Sequence, residues 1–148
     1  ILKNAGIDCN EIEVKSNEVF FLRDNQLVFP VAAKEKLVKK ADGWALDIYV
    51  FSPRPLDDLL IEPNMPKLTL VVKAKECQLA INDKAYAAAS QNRHEATYKE
   101  LPLLQGWNKV SIKIGERDKN EFSGNFRCDN RNEFLSSLKI MYINPEAK

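Results

Sequence analysis

Apolar and polar residues alternate with a period of two along most of this chain, and that period predicts β-strands. Trp44, Leu46, Ile48 and Val50 alternate with Ala45, Asp47, Tyr49 and Phe51. Leu68, Leu70, Val72 and Ala74 alternate in the same way with Thr69, Val71, Lys73 and Lys75. After Gly106-Trp107-Asn108, the residues Val110, Ile112 and Ile114 share one face while Lys109, Ser111 and Lys113 share the other. Successive side chains of a strand point to opposite faces, so each of these segments offers one wall to a core and keeps the other for a second surface.

Weaker signals fill the intervals. The apolar runs 19–22 and 27–29 flank Arg23-Asp24-Asn25-Gln26 and predict a hairpin, with Pro30 ending the second strand or marking a sheet edge. Segment 32–40 reads as a helix of about two turns or as an edge strand. Strand 77–81 runs into the tight turn Asn82-Asp83-Lys84, segment 85–89 leaves that turn, 90–95 is a polar loop, and 98–104 returns to the core. A charged loop, 115–121, precedes strand 122–128. Asn132 is placed to cap a brief helix before a last strand over 138–143. Residues 1–18 read as a lead-in strand or an arm. The pattern amounts to eight to ten strands in a single all-β domain over 1–148, a β-sandwich.

Composition narrows the functional classes. The 148 residues can bury roughly 70% of the surface their unfolded chain exposes, so no metal or disulfide scaffold is required. With 22 Lys and Arg against 21 Asp and Glu, the formal charge of +1 supplies no field to attract nucleic acid or an anionic membrane. The basic stretch Lys34, Lys36, Lys39 and Lys40 is interrupted by Glu35 and Asp42 and lacks aromatic residues for base stacking. Cys9, Cys77 and Cys128 are widely spaced, permit one intrachain disulfide at most, and are expected to be reduced. The sequence from Ile1 reads as a mature or trimmed chain, without a signal peptide or an apolar run long enough to span a membrane.

Three segments taken in series resemble a known superfamily: 44–51, 68–84 with its Ile81-Asn82-Asp83-Lys84 turn, and 103–114 around Gly106-Trp107-Asn108. They are similar to the galactose-binding-like jelly-roll domains appended to secreted polysaccharide-degrading proteins, with Asp83 standing where the superfamily's hairpin usually has glycine. The tail Leu138-Lys139-Ile140-Met141-Tyr142-Ile143-Asn144-Pro145 resembles the end of such accessory domains in Bacteroidetes proteins. The resemblance implies a jelly roll, a location outside the cell or on its surface, and a carbohydrate partner, with a neighbouring catalytic domain as a second partner.

Residue chemistry favours binding over catalysis. Glycoside hydrolysis needs two carboxylates facing each other, whereas Asp57, Asp58 and Glu62 crowd one proline-bounded loop. These three could instead hold one structural calcium ion; no other cofactor is expected. His94 is the sole histidine, and no serine lies in a nucleophile elbow, so no catalytic residue is assigned. Sugars are held by aromatic faces flanked by hydrogen-bonding side chains. Asp47 and Tyr49 on an outward strand face, and Tyr86, Asn92, Arg93, His94 and Tyr98 around the later loops, are the candidate ligand-binding residues. Trp107 joins them as a platform or serves as a structural rim residue, and Trp44 shares the register of the core. A non-catalytic carbohydrate-binding accessory module is therefore expected, the alternative being a sandwich that docks on a neighbouring catalytic domain.

Overall fold

The computed structural model describes residues 21–23, 25–29, 31–56, 66–128 and 131–142, and within them the period-two segments are strands. In chain order these are β1 (Phe21–Arg23), β2 (Gln26–Val28), β3 (Val38–Lys40), β4 (Gly43–Ser52), β5 (Leu68–Lys73) and β6 (Cys77–Ile81). They continue as β7 (Lys84–Tyr86), β8 (Ser90–Gln91), β9 (Ala96–Leu101), β10 (Gly106–Gly115), β11 (Ser123–Arg127) and β12 (Lys139–Tyr142). The helical pieces among the described residues are 3₁₀ turns, Val31–Lys36, Lys119–Glu121 and Asn132–Ser137.

Two antiparallel sheets face each other. One has the order β1-β2-β11-β5-β9-β8; the other runs β12-β4-β10-β6-β7, with β3 also paired to β4. Eight strands, β2, β4, β5, β6, β7, β9, β10 and β11, form nested pairs: the first lies on the eighth, the second on the seventh, the third on the sixth, and the fourth on the fifth. That nesting, with the chain repeatedly changing sheets, is a jelly roll. Leu46, Ile48 and Val50 of β4 and Val110, Ile112 and Ile114 of β10 meet Leu70, Val72, Tyr98 and Phe126 of the opposite sheet in one apolar core.

The turns follow from residue type. Asn82 and Asp83 join β6 to β7 with φ of 51° and 68°, the pair of left-handed residues that a two-residue hairpin requires and that Asx side chains tolerate. Asp83 thus occupies glycine's place in the turn. Gly106, at φ 97°, opens β10 in a conformation costly for other residues.

Several boundaries differ from the sequence reading. Segment 32–40 is neither one helix nor one strand: a 3₁₀ stretch, Val31–Lys36, is followed by the edge strand β3. The helix expected to be capped by Asn132 is a 3₁₀ turn that begins at Asn132, preceded by Arg131 and without a side-chain cap. β9 starts two residues earlier than expected and stops at Leu101. Trp44 keeps the inward register of β4 but lies at the margin of the core, half-buried. Its indole N–H donates to the Glu116 carbonyl at 3.1 Å, and the Lys119 ammonium lies 4.1 Å from its ring centre. The hairpin of 19–29 is present as β1 and β2, whereas the arm over 1–18 lies outside the described residues.

Candidate ligand-binding site

One end of the sandwich is fixed by a buried amide. The alternation that sends Val110 inward also sends Asn108 inward, and its side chain is fully buried. Its Oδ1 accepts the Leu104 N–H at 2.8 Å and the Asn82 Nδ2–H at 2.9 Å, while its Nδ2 donates to the carbonyls of Leu104 (2.9 Å), Gly106 (3.2 Å) and Val50 (3.3 Å). Asn82 in turn accepts the Lys109 N–H at 2.9 Å. Two amides thereby tie the β6–β7 turn, the start of β10 and the loop before it into one unit. Leu56 and Leu103, which exchange two backbone hydrogen bonds of 2.8 Å, fasten the chain leaving β4 to the same end.

A depression of ≈ 730 Å³ opens beside this unit, between the edge strand β7 and the end of β9. Its apolar lining includes Leu56, Ile81 and Leu103, and its polar lining includes Lys84, Lys99 and Glu100. The last two owe their position to a bulge. Between the pairs Leu70–Tyr98 and Leu68–Leu101, β5 has one residue, Thr69, where β9 has two, and Glu100 takes φ of 54°. An extra residue in one strand bends it and re-aims the side chains at that point. Tyr86, half-buried on β7, lines this depression and also a second one of ≈ 700 Å³ along β6 and β7. The Lys84 ammonium lies 5.6 Å from the Tyr86 ring centre.

The eight residues singled out from sequence are not brought to one place. Asp47 is exposed on the outward face of β4. Tyr49 and Trp107 also point outward, as the alternation requires, yet each is only 8% exposed. Trp107 meets Phe51 edge to face, with ring centres 5.6 Å apart, so its ring is packed against a neighbour. Tyr98 is 1% exposed in the core, its hydroxyl donates to the Cys77 carbonyl at 3.2 Å, and it meets Tyr86 only in the lining of the ≈ 700 Å³ depression. Asn92 folds a turn at the far end of β9, where its Oδ1 accepts the N–H groups of His94 (2.7 Å) and Glu95 (2.9 Å). Arg93 and His94 are exposed at that end, away from Tyr86.

Of the eight, Tyr86 alone lines the ≈ 730 Å³ depression. Lys84, Lys99 and Glu100, its polar neighbours there, were not singled out. Lys84 follows the recognised Asn82-Asp83 turn and could have been found from it. The bulge that sets Lys99 and Glu100 has no sequence signal, because neither residue is a usual left-handed former.

The second end of the sandwich is organised by Asp118, 7% exposed, whose carboxylate accepts three backbone N–H groups, from Lys75 (3.0 Å), Glu76 (3.1 Å) and Gly115 (3.0 Å). It is a structural clasp. Burial pushes the Cys77 thiol up to about 11, and Tyr98, enclosed beside it, is likewise raised, chiefly by burial. Cys77 therefore carries a free, protonated and weakly nucleophilic thiol at neutral pH. Tyr49 is raised by burial and then by the nearby charges of Asp47 and Asp83. Among the described residues no group of three or more His, Cys, Asp or Glu is placed to hold a metal ion, and no helix is long and apolar enough to cross a membrane. The calcium candidates Asp57, Asp58 and Glu62 lie outside the described residues. Compared with known proteins, the chain matches no family model, no curated protein and no solved structure.

Proposed function

We propose that the jelly roll is a non-catalytic carbohydrate-binding module whose site is the mouth between β7 and the bulge of β9. The observation that carries this reading is Tyr86, a partly exposed ring on β7, the edge strand of its sheet among the described residues, which shares a mouth with Lys84, Lys99 and Glu100 and with apolar Leu56, Ile81 and Leu103. An aromatic face packs on the C–H surface of a sugar ring while flanking polar groups bond its hydroxyls, and this mouth has both. Among the described residues, Glu100 is the one carboxylate in its lining. The likeness of segments 44–51, 68–84 and 103–114 to galactose-binding-like domains supports the same reading. It is also the ground for placing the module in a secreted or surface-held glycan-degrading protein.

Affinity electrophoresis through gels containing different polysaccharides tests the reading. Retention by at least one polymer is expected, lost in Tyr86→Ala and kept in Tyr86→Phe, with urea midpoints recorded for both variants. Unchanged mobility in every gel, or retention undiminished in Tyr86→Ala, refutes it. The competing role, docking on a neighbouring domain, is favoured by Leu104, which lines the same mouth and is 52% exposed, and would gain from the absence of retention.

A further inference from the structure

Resting on that reading, we infer that the saccharide taken at the mouth is an acidic one, bearing carboxylate or sulfate groups that meet Lys84 and Lys99. The charge inventory of this end leads there. Asp83 is paired with Lys109 (3.8 Å) and Glu100 with Lys67 (3.3 Å), so both carboxylates already have cations. Lys84 and Lys99 have no carboxylate within ion-pair distance among the described residues; Lys84 has only the Tyr86 ring. Among the described residues of this end, Lys67, Lys84, Lys99 and Lys109 stand against Asp83 and Glu100, two more positive charges than negative.

Hydrogen-bonding capacity points the same way. Neutral sugars present hydroxyls that both donate and accept, and amide side chains suit them. The amide in this mouth, Asn82, has its Oδ1 engaged by the Lys109 N–H and an Nδ2 proton given to Asn108. Lys84 and Lys99 bring ammonium ions, which only donate and which match the acceptor-only oxygens of a carboxylate or sulfate. Tyr86 lines the same mouth as both lysines and offers its ring to the sugar, with Lys84 on β7 and Lys99 at the bulge of β9.

Binding of polygalacturonate (carboxylate), chondroitin sulfate (carboxylate and sulfate) and uncharged galactan by the wild type, Lys84→Gln/Lys99→Gln and the control Lys40→Gln tests this. The expected result is stronger binding of an acidic polymer than of galactan at low salt. The double variant should lose about tenfold in affinity for that polymer, as two partly exposed ion pairs imply, and Lys40→Gln should lose nothing. Preference for polygalacturonate assigns a carboxylate ligand, and preference for chondroitin sulfate a sulfated one. Galactan bound as tightly as the acidic polymers, or equal losses in the double variant and in Lys40→Gln, overturns the acidic assignment and leaves the carbohydrate reading standing. Failure of all three polymers, with no retention on other glycans, removes the carbohydrate reading itself.

Discussion

Replacing Asn108 by alanine removes both ends of a buried amide and leaves its partners without bonds. The Leu104 N–H and the Asn82 amide lose their shared acceptor, and the carbonyls of Leu104, Gly106 and Val50 lose a donor. Each buried polar group left unpaired costs about 1–3 kcal/mol, and water reaches some of these through the exposed Leu104. Two groups left effectively unsatisfied give a loss of about 3 kcal/mol. In a chain of this size that lowers the melting temperature by about 10 °C. Urea unfolding followed by tryptophan fluorescence is a suitable assay, because Trp107 is packed on Phe51 next to the altered position. A cycle with Asn82→Ala isolates the amide–amide bond, for which coupling of about 1 kcal/mol is expected. A loss below about 1 kcal/mol for Asn108→Ala, or full additivity with Asn82→Ala, would refute the role of Asn108 as the tie between the hairpin turn and β10.

Two further outcomes follow from close packing and from burial. A Cβ on Gly43 would stand 2.1 Å from the Ile114 carbonyl oxygen, so Gly43→Ala should cost about 3 kcal/mol; an unchanged urea midpoint would mean that the β4–β10 ladder yields at this point. Stability should also fall as pH rises above about 9. The unfolded Cys77 thiol, with its ordinary value of 9.0, ionises there while the folded one keeps its proton up to about 11, so the unfolded chain binds fewer protons. The loss from Cys77 is about 2 kcal/mol across that window, with Tyr98 and Tyr49, also raised, adding to it from about pH 10, the ordinary tyrosine value of 10.0 at which the unfolded chain ionises. Urea midpoints measured between neutral pH and pH 10 should decline in the wild type and much less in Cys77→Ala; parallel profiles would refute the assignment.

What the sequence makes legible here is local, and what it hides is mostly long-range. Period two placed Leu46, Ile48, Val50, Val110, Ile112 and Ile114 in the core, where they are. It also placed Tyr49 and Trp107 on an outward face, which holds. Facing outward and being exposed are different properties, since the second depends on what else packs on that face, and both rings are 8% exposed. Asn108 was readable and overlooked: a polar residue in the register of Val110 and Ile112 has to be a buried, fully bonded amide. The mouth was illegible for another reason. It needs β7 and β9, which belong to different sheets, and a bulge at Glu100 that shifts the register of β9 by one residue. Tyr86 could be suspected as an aromatic beside a turn, but no alternation pattern places Lys99 in the same mouth.

The nested pairing of the jelly roll bears on how the chain acquires its shape. Of the four nested pairs, only β6 and β7 join through a short local closure, across Asn82 and Asp83. β5 must await β9, β4 must await β10, and β2, at Gln26–Val28, has no eventual neighbour on its inner side until β11, at Ser123–Arg127, has been made. Ring-closing entropy grows outward through the series, so the assembly is ordered from its middle toward its ends. During synthesis β2 and β4 emerge long before β11 and β10, and the backbone edges meant for those partners stay open to chance association until nearly the whole described chain is available.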